Sequence, residues 1–205
     1  MGRRIAKNRK RNSLNILAFI PARSGSKEIP RKNMRLLCKK PLIQYTLEAA
    51  RDCELIDHIF ISSDDTAVID LASKMGIETP YQRPAKVSQD KTSMYETVRD
   101  GLNWLKKTSG KLPDIIALLQ PTSPLRNSQN LHEAIELFLK SSANTLVSVH
   151  PLREHPFESI RGISGSWQYL AGSGTELYRQ AYPNDYYYIN GAIHLIRTPW
   201  LIETG

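Results

Sequence analysis

Apolar and polar positions along this chain follow two periods, and the switches between them lay out its elements. Six consecutive apolar residues, Ile16–Pro21, read as a short strand buried on both faces. Residues 41–52 then bring Leu42, Ile43, Thr46, Leu47 and Ala50 onto one helical face, with Pro41 suited to a first turn. Residues 58–62 form a second apolar strand. Ser63 to Asp65 signal a helix start ahead of Ala67, Val68, Leu71, Ala72 and Met75, and Gly76 closes that helix. Strand, helix, strand, helix with short links predicts a parallel sheet with right-handed crossovers.

Residues 80–93 break this rhythm with a long irregular stretch holding two prolines, the kind of connection that is kept for a purpose. A helix follows over 94–107, with Val98, Leu102 and Leu105 at helical spacing, and then a strand over 115–119 that ends in QPTSPLR. Ser128 precedes a helix over 131–139, whose Leu131, Ala134, Ile135, Phe138 and Leu139 share one face, and 145–149 read as another strand. Beyond Pro151 the pattern changes. Residues 161–169 suggest two strand halves around a Gly/Ser turn, and 187–196 return as a strand, so the last third reads as a β-rich insertion on an α/β core. The expectation is a three-layer α/β domain over residues 14–205, with a mostly parallel sheet between helices and a basic, disordered tail at 1–13.

With 205 residues, 40% of them hydrophobic, the chain suits one such domain. The formal charge of +8 is concentrated at the start, where six basic residues and no acid occupy the first twelve positions. Of the 28 basic residues, the 22 that remain face 20 acidic ones, so the body is nearly neutral. That arm lacks aromatic residues and the body lacks a basic stripe, which argues against a dedicated nucleic-acid binder. No apolar run suits a signal peptide or a membrane span. Cys38 and Cys53 are too few for a disulfide framework and have no CxxC spacing, and the five histidines show no HExxH, so a protein-built zinc site is not expected.

Candidate chemistry begins where the first strand empties into Arg23, Ser24, Gly25, Ser26, Lys27, Arg31 and Lys32. Four cations around small residues need an anion, since otherwise they repel one another, and phosphate is the natural candidate. Gly25 lets the backbone approach a ligand, and N–H groups in such a turn form a nest for phosphate oxygens. The spacing is neither that of a Walker A loop nor that of the Rossmann glycine fingerprint. Three segments, 23–33, 63–65 and 120–126, all follow strands and converge on the crevice where open α/β sheets bind ligands. One of Asp64 and Asp65 reads equally well as a helix N-cap. Arg83 can donate to a pyrimidine. Gln120, with Thr122 and Ser123, can address sugar hydroxyls or a carboxylate.

The ordered set PARSGSKEIPRKN, PLIQYTLEAA, ISSDD, RP, LLQPTSPLR and NGAIHLI resembles the CMP-sialic acid synthetases, the acylneuraminate cytidylyltransferases. The resemblance implies a Rossmann-like nucleotidyltransferase fold and transfer of CMP from CTP to a sialic-type (nonulosonic) acid, in the cytoplasm, for lipopolysaccharide or capsule synthesis. It implies that Ala22 to Lys27 and Asn33 bind the nucleotide, with Arg23 and Lys27 on the triphosphate and Lys32 on the departing pyrophosphate. It implies a cytosine site at Arg83, Thr92 and Ser93, and a sugar site at Gln120, Thr122, Ser123, Arg179, Gln180, Tyr188, Asn190 and Gly191. Mg²⁺ as cofactor and a homodimer built through the late insertion are also implied.

The chain departs from that pattern at three places. Glu28 stands where relatives carry glycine, and Met94 where they carry a small polar residue. The family's metal-ligating Asp-x-Asp element would fall beyond Gly205. A nucleotide-holding relative with little turnover, a 3-deoxy-manno-octulosonate-type activity and nucleic-acid binding through the tail are the alternatives.

Overall fold

The computed structural model describes residues 14–25, 29–78, 80–171 and 185–204. The basic tail, Ser26, Lys27, Glu28, Arg179 and Gln180 therefore lie outside the described residues. Along the chain run β1 (Ile16–Pro21), a small hairpin of β2 (Leu36–Leu37) and β3 (Lys40–Pro41), α1 (Leu42–Asp52), β4 (His58–Ser62) and α2 (Thr66–Lys74). After the 80–93 stretch come α3 (Met94–Ser109), β5 (Ile115–Leu118), α4 (Ser128–Lys140) and β6 (Thr145–Pro151). The hairpin strands β7 (Ile160–Ile163) and β8 (Ser166–Tyr169), then β9 (Tyr187–Arg197) and α5 (Thr198–Thr204), complete the chain.

β1 is buried at all six positions because both of its edges and both of its faces are covered. It lies between β4 and β5 and is parallel to both, while β9 pairs antiparallel with the far edge of β5, giving the order β4-β1-β5-β9-β6. Successive side chains point to opposite faces. Ile16, Ala18 and Ile20 join one core with Ile43 and Leu47 of α1, Val68 and Ala72 of α2, and Leu131, Ile135 and Phe138 of α4. Leu17 and Phe19 join a second core with Val98 and Leu102 of α3. The mostly parallel, three-layer architecture expected from the sequence is thus present. One close approach sets the α3 layer: a Cβ on Gly101 would lie 2.6 Å from the Phe19 ring and 2.9 Å from that of Phe60.

Helix boundaries follow their caps. Ser93 and Glu96 form a reciprocal capping box at the start of α3, and Asn127 with Asn130 does the same for α4, which begins at Ser128. Asp65 caps α2, its carboxylate accepting from the Ala67 amide at 3.0 Å. Asn190-Gly191 forms no hairpin turn. It lies inside the eleven-residue β9, with Gly191 at φ 70.

The chain divides into two compact units, one reaching to Leu146 and resuming at Ala192, the other Val147–Gly191. The second is the β-rich insertion. Within it, Asn190 Oδ1 accepts from the Ser148 hydroxyl at 2.6 Å, and the rings of His150 and Tyr188 lie 5.4 Å apart. Among the described residues no helix is long and apolar enough to cross a membrane.

Candidate functional site

The site is built in the first unit, at the carboxyl ends of β1, β4 and β5, where parallel strands leave their last backbone groups and following loops free to converge. The loop after β1 is held rigidly at its start. The Ala22 amide still bonds to the Ser62 carbonyl at 2.8 Å, and the Ser63 hydroxyl donates to the Ala22 carbonyl. Ser24 then donates both its amide and its hydroxyl to Asp64, at 2.7 and 2.8 Å. From the other side the Asn33 side chain, 8% exposed, donates to the Arg23 carbonyl at 3.0 Å. Asp64 and Asp65 have therefore divided two tasks: the first clamps the cationic loop, and the second caps a helix.

Arg83 is anchored at the end of β4. Its Nε donates to the Ser62 hydroxyl at 2.9 Å and its Nη2 to the Ser62 carbonyl at 2.6 Å, while its own amide bonds to the Ser63 carbonyl at 2.8 Å. Only 5% exposed, its guanidinium has a pKa pulled down by burial. The Arg126 guanidinium, at the end of the loop after β5, is nearly as buried. It donates from Nη1 to the carbonyls of Gln120 and Ala192 and from Nη2 to the Thr46 hydroxyl, with Nε left unpartnered. Burial pulls its pKa down to about 10. This one side chain ties the Gln120–Arg126 loop to α1 and to β9.

A cleft of about 280 Å³ opens between these loops, at the lower end of the range for small-molecule sites. The β1 loop contributes Arg23, Gly25, Lys32 and Asn33. The 80–93 stretch contributes Arg83, Asp90 and Thr92, and the end of β5 contributes Gln120 and Thr122. Eight of the residues singled out from sequence meet here: Arg23, Gly25, Lys32, Asn33, Arg83, Thr92, Gln120 and Thr122. Ser93 does not line the cleft, since its hydroxyl and amide are committed to the α3 cap. Ser123 is drawn into a turn on the Gln120 carbonyl at 3.4 Å, outside the lining. Tyr188, Asn190 and Gly191 belong to the insertion unit.

Sequence reasoning missed two residues. Arg126 ends the 120–126 segment without a role of its own, because nothing local reveals that α1 and β9 close over it. Asp90 sits in a polar stretch without any pattern, yet its carboxylate lies 2.7 Å from Arg23 Nη1 across the cleft lining.

For a divalent cation the described residues are a poor fit. No group of three or more His, Cys, Asp or Glu side chains gathers among them, Asp64 is engaged by Ser24, and Asp90 is engaged by Arg23.

Fold and cleft define an α/β protein with a cationic site at its strand ends. Residues 17–180 match the family model described as Cytidylyltransferase, and the chain belongs to the cytidylyltransferase family. It is 34% identical over 194 residues to the CMP-N,N'-diacetyllegionaminic acid synthase of Legionella pneumophila, covering 93% of this chain and 81% of that protein. It is 31% identical over 189 residues to the N-acylneuraminate cytidylyltransferase of Streptococcus agalactiae serotype III, covering 87% of this chain but only 42% of that longer protein. Among solved structures, a CMP:2-keto-3-deoxy-manno-octonic acid synthetase complexed with CTP shares the fold, with a TM-score of 0.65 at 17% identity over 92% of this chain and 76% of that one.

Proposed function

We propose that this chain transfers CMP from CTP to the anomeric hydroxyl of a nonulosonic acid and releases pyrophosphate. The observation that carries the reading is the meeting of Arg23, Lys32, Asn33, Arg83 and Gln120 in one cleft of a cytidylyltransferase-family chain. The sugar oxygen attacks the α-phosphorus as the bond to the β-phosphate breaks, a reaction governed by positioning and charge neutralisation, with no protein nucleophile. Arg23, joined by Lys27, neutralises the triphosphate, and Lys32 takes the charge that grows on pyrophosphate. Arg83 and Thr92 face the pyrimidine, and Gln120 with Thr122 faces the acidic sugar. Mg²⁺ on this reading arrives with the nucleotide, and no step is assigned to a protein-built metal site.

The donor belongs to the cytoplasmic nucleotide pool, which supports a cytoplasmic reaction. We extend the proposal to a homodimer, supported by the apolar surface of the insertion unit, where Trp167 is 73% and Leu170 61% exposed.

The test is pyrophosphate release with CTP, Mg²⁺ and a panel of nine-carbon and eight-carbon sugar acids. CMP-sugar is expected with at least one nine-carbon acid, and Arg23→Glu should abolish saturable CTP binding. Deleting residues 1–12 should leave both intact. Folded protein that releases no pyrophosphate with any acid would refute the activity, and turnover with eight-carbon acids alone would move the substrate class.

A further inference from the structure

We infer that Asp90 competes with phosphate for Arg23 and so limits how tightly the cleft holds pyrophosphate. The inference rests on the nucleotide reading of the cleft. Arg23 Nη1 and Asp90 Oδ1 are 2.7 Å apart, and both residues line the same cleft. Arg23 is the first cation after β1, and Asp90 comes from the stretch that also supplies Arg83 and Thr92. A phosphate gripping Arg23 must either displace this carboxylate or sit beside it, and like charges at that range oppose each other.

The pair is poorly placed to serve folding. Its side chains are 36% and 44% exposed, and ion pairs that open contribute little to stability. Arg23 is also held through its backbone by Asn33, and the adjoining Ser24 by Asp64, so these two residues have anchors besides Asp90. A carboxylate against the phosphate-binding arginine thus has more effect on anion affinity than on structure.

Both anions of the proposed reaction lose the same increment of affinity to this competition. CTP carries a nucleoside whose contacts with the rest of the cleft offset the competition. Pyrophosphate has no such contacts, so Asp90 reclaiming Arg23 favours its departure after transfer. Cytidine, with no phosphate, leaves the pair undisturbed. Asp90 therefore weakens the hold on both, and the bare leaving group, without nucleoside contacts, is the one left loosely bound.

Titration calorimetry with CTP, pyrophosphate and cytidine on wild type and Asp90→Asn tests this. Asparagine keeps the shape and a hydrogen-bond acceptor for Arg23 while removing the charge. Asp90→Asn is expected to bind pyrophosphate and CTP about three- to tenfold tighter, with cytidine affinity changed less than about twofold. Asp90→Ala should move in the same direction, which guards against an effect peculiar to the amide. Unchanged or weaker pyrophosphate binding in both variants overturns the inference and makes Asp90 a mere support for Arg23. Equal tightening toward cytidine overturns it as well. If wild type binds CTP saturably and the variants do not differ, this inference alone fails. A wild type that binds neither anion removes the nucleotide reading and this inference with it.

Discussion

Replacing Arg126 with methionine separates what a buried cation contributes to stability from what it contributes to substrate placement. Burial lowers its pKa from the ordinary guanidinium range to about 10. At about 1.4 kcal/mol per unit, the folded chain carries roughly 3 kcal/mol of penalty to keep that charge inside. Opposing this are three donated hydrogen bonds, to Gln120 at 3.3 Å, to Thr46 at 2.6 Å and to the Ala192 carbonyl. Charged donors contribute about 1.5–3 kcal/mol each, and the long bond to Gln120 is the weakest, so their sum is roughly 6 kcal/mol. Nε has no partner to lose. Methionine of similar length removes both contributions, and the expected loss is about 2–3 kcal/mol, measured by urea denaturation.

The functional effect of the same change is expected on the sugar side. Without Arg126 the Gln120–Arg126 loop loses its ties to α1 and β9, while the Arg23 and Arg83 anchors, which run through Ser62, Asp64 and Asn33, remain. The KM for the sugar acid should rise about tenfold, with the KM for CTP within about threefold. Equal shifts in both constants would refute the assignment of this loop to the sugar. A stability loss above about 5 kcal/mol would refute the claim that the burial penalty offsets half of the hydrogen bonding.

Gly101→Ala should destabilise by up to about 2 kcal/mol. The overpacking against the buried Phe19 and Phe60 rings, about 1–3 kcal/mol, outweighs a helix-propensity gain of about 1 kcal/mol. A denaturation midpoint unchanged or raised would show that α3 can lift off the sheet freely. Burial holds the His194 imidazole below its usual 6.5, with Nε2 unpartnered. The unfolded chain then takes up this proton at higher pH than the folded chain, so stability from this group falls as pH drops below about 6.5. His194→Gln should flatten that part of the stability profile, and an unchanged slope would sink the assignment.

The sequence by itself determined the layers and the place of the site. An uninterrupted apolar run at Ile16–Pro21 can only be satisfied with cover on both faces, and the helical stripes around 42–52, 66–74 and 128–140 supply one of those covers. A cationic, glycine-containing turn after that strand had to lie at the strand-end crevice, and it does. These are consequences of local pattern, in which neighbours in sequence share a periodicity. Tertiary structure alone decided which polar side chains meet. It sent Asp64 to the cationic loop and Asp65 to a helix cap, and committed Ser93 to α3. It also buried Arg126 and set Asp90 against Arg23, partners separated by 80 and 67 positions from Thr46 and Arg23 respectively. Hydrogen bonds and ion pairs act over a few ångströms, and across such separations only the packed chain brings the two ends within that reach.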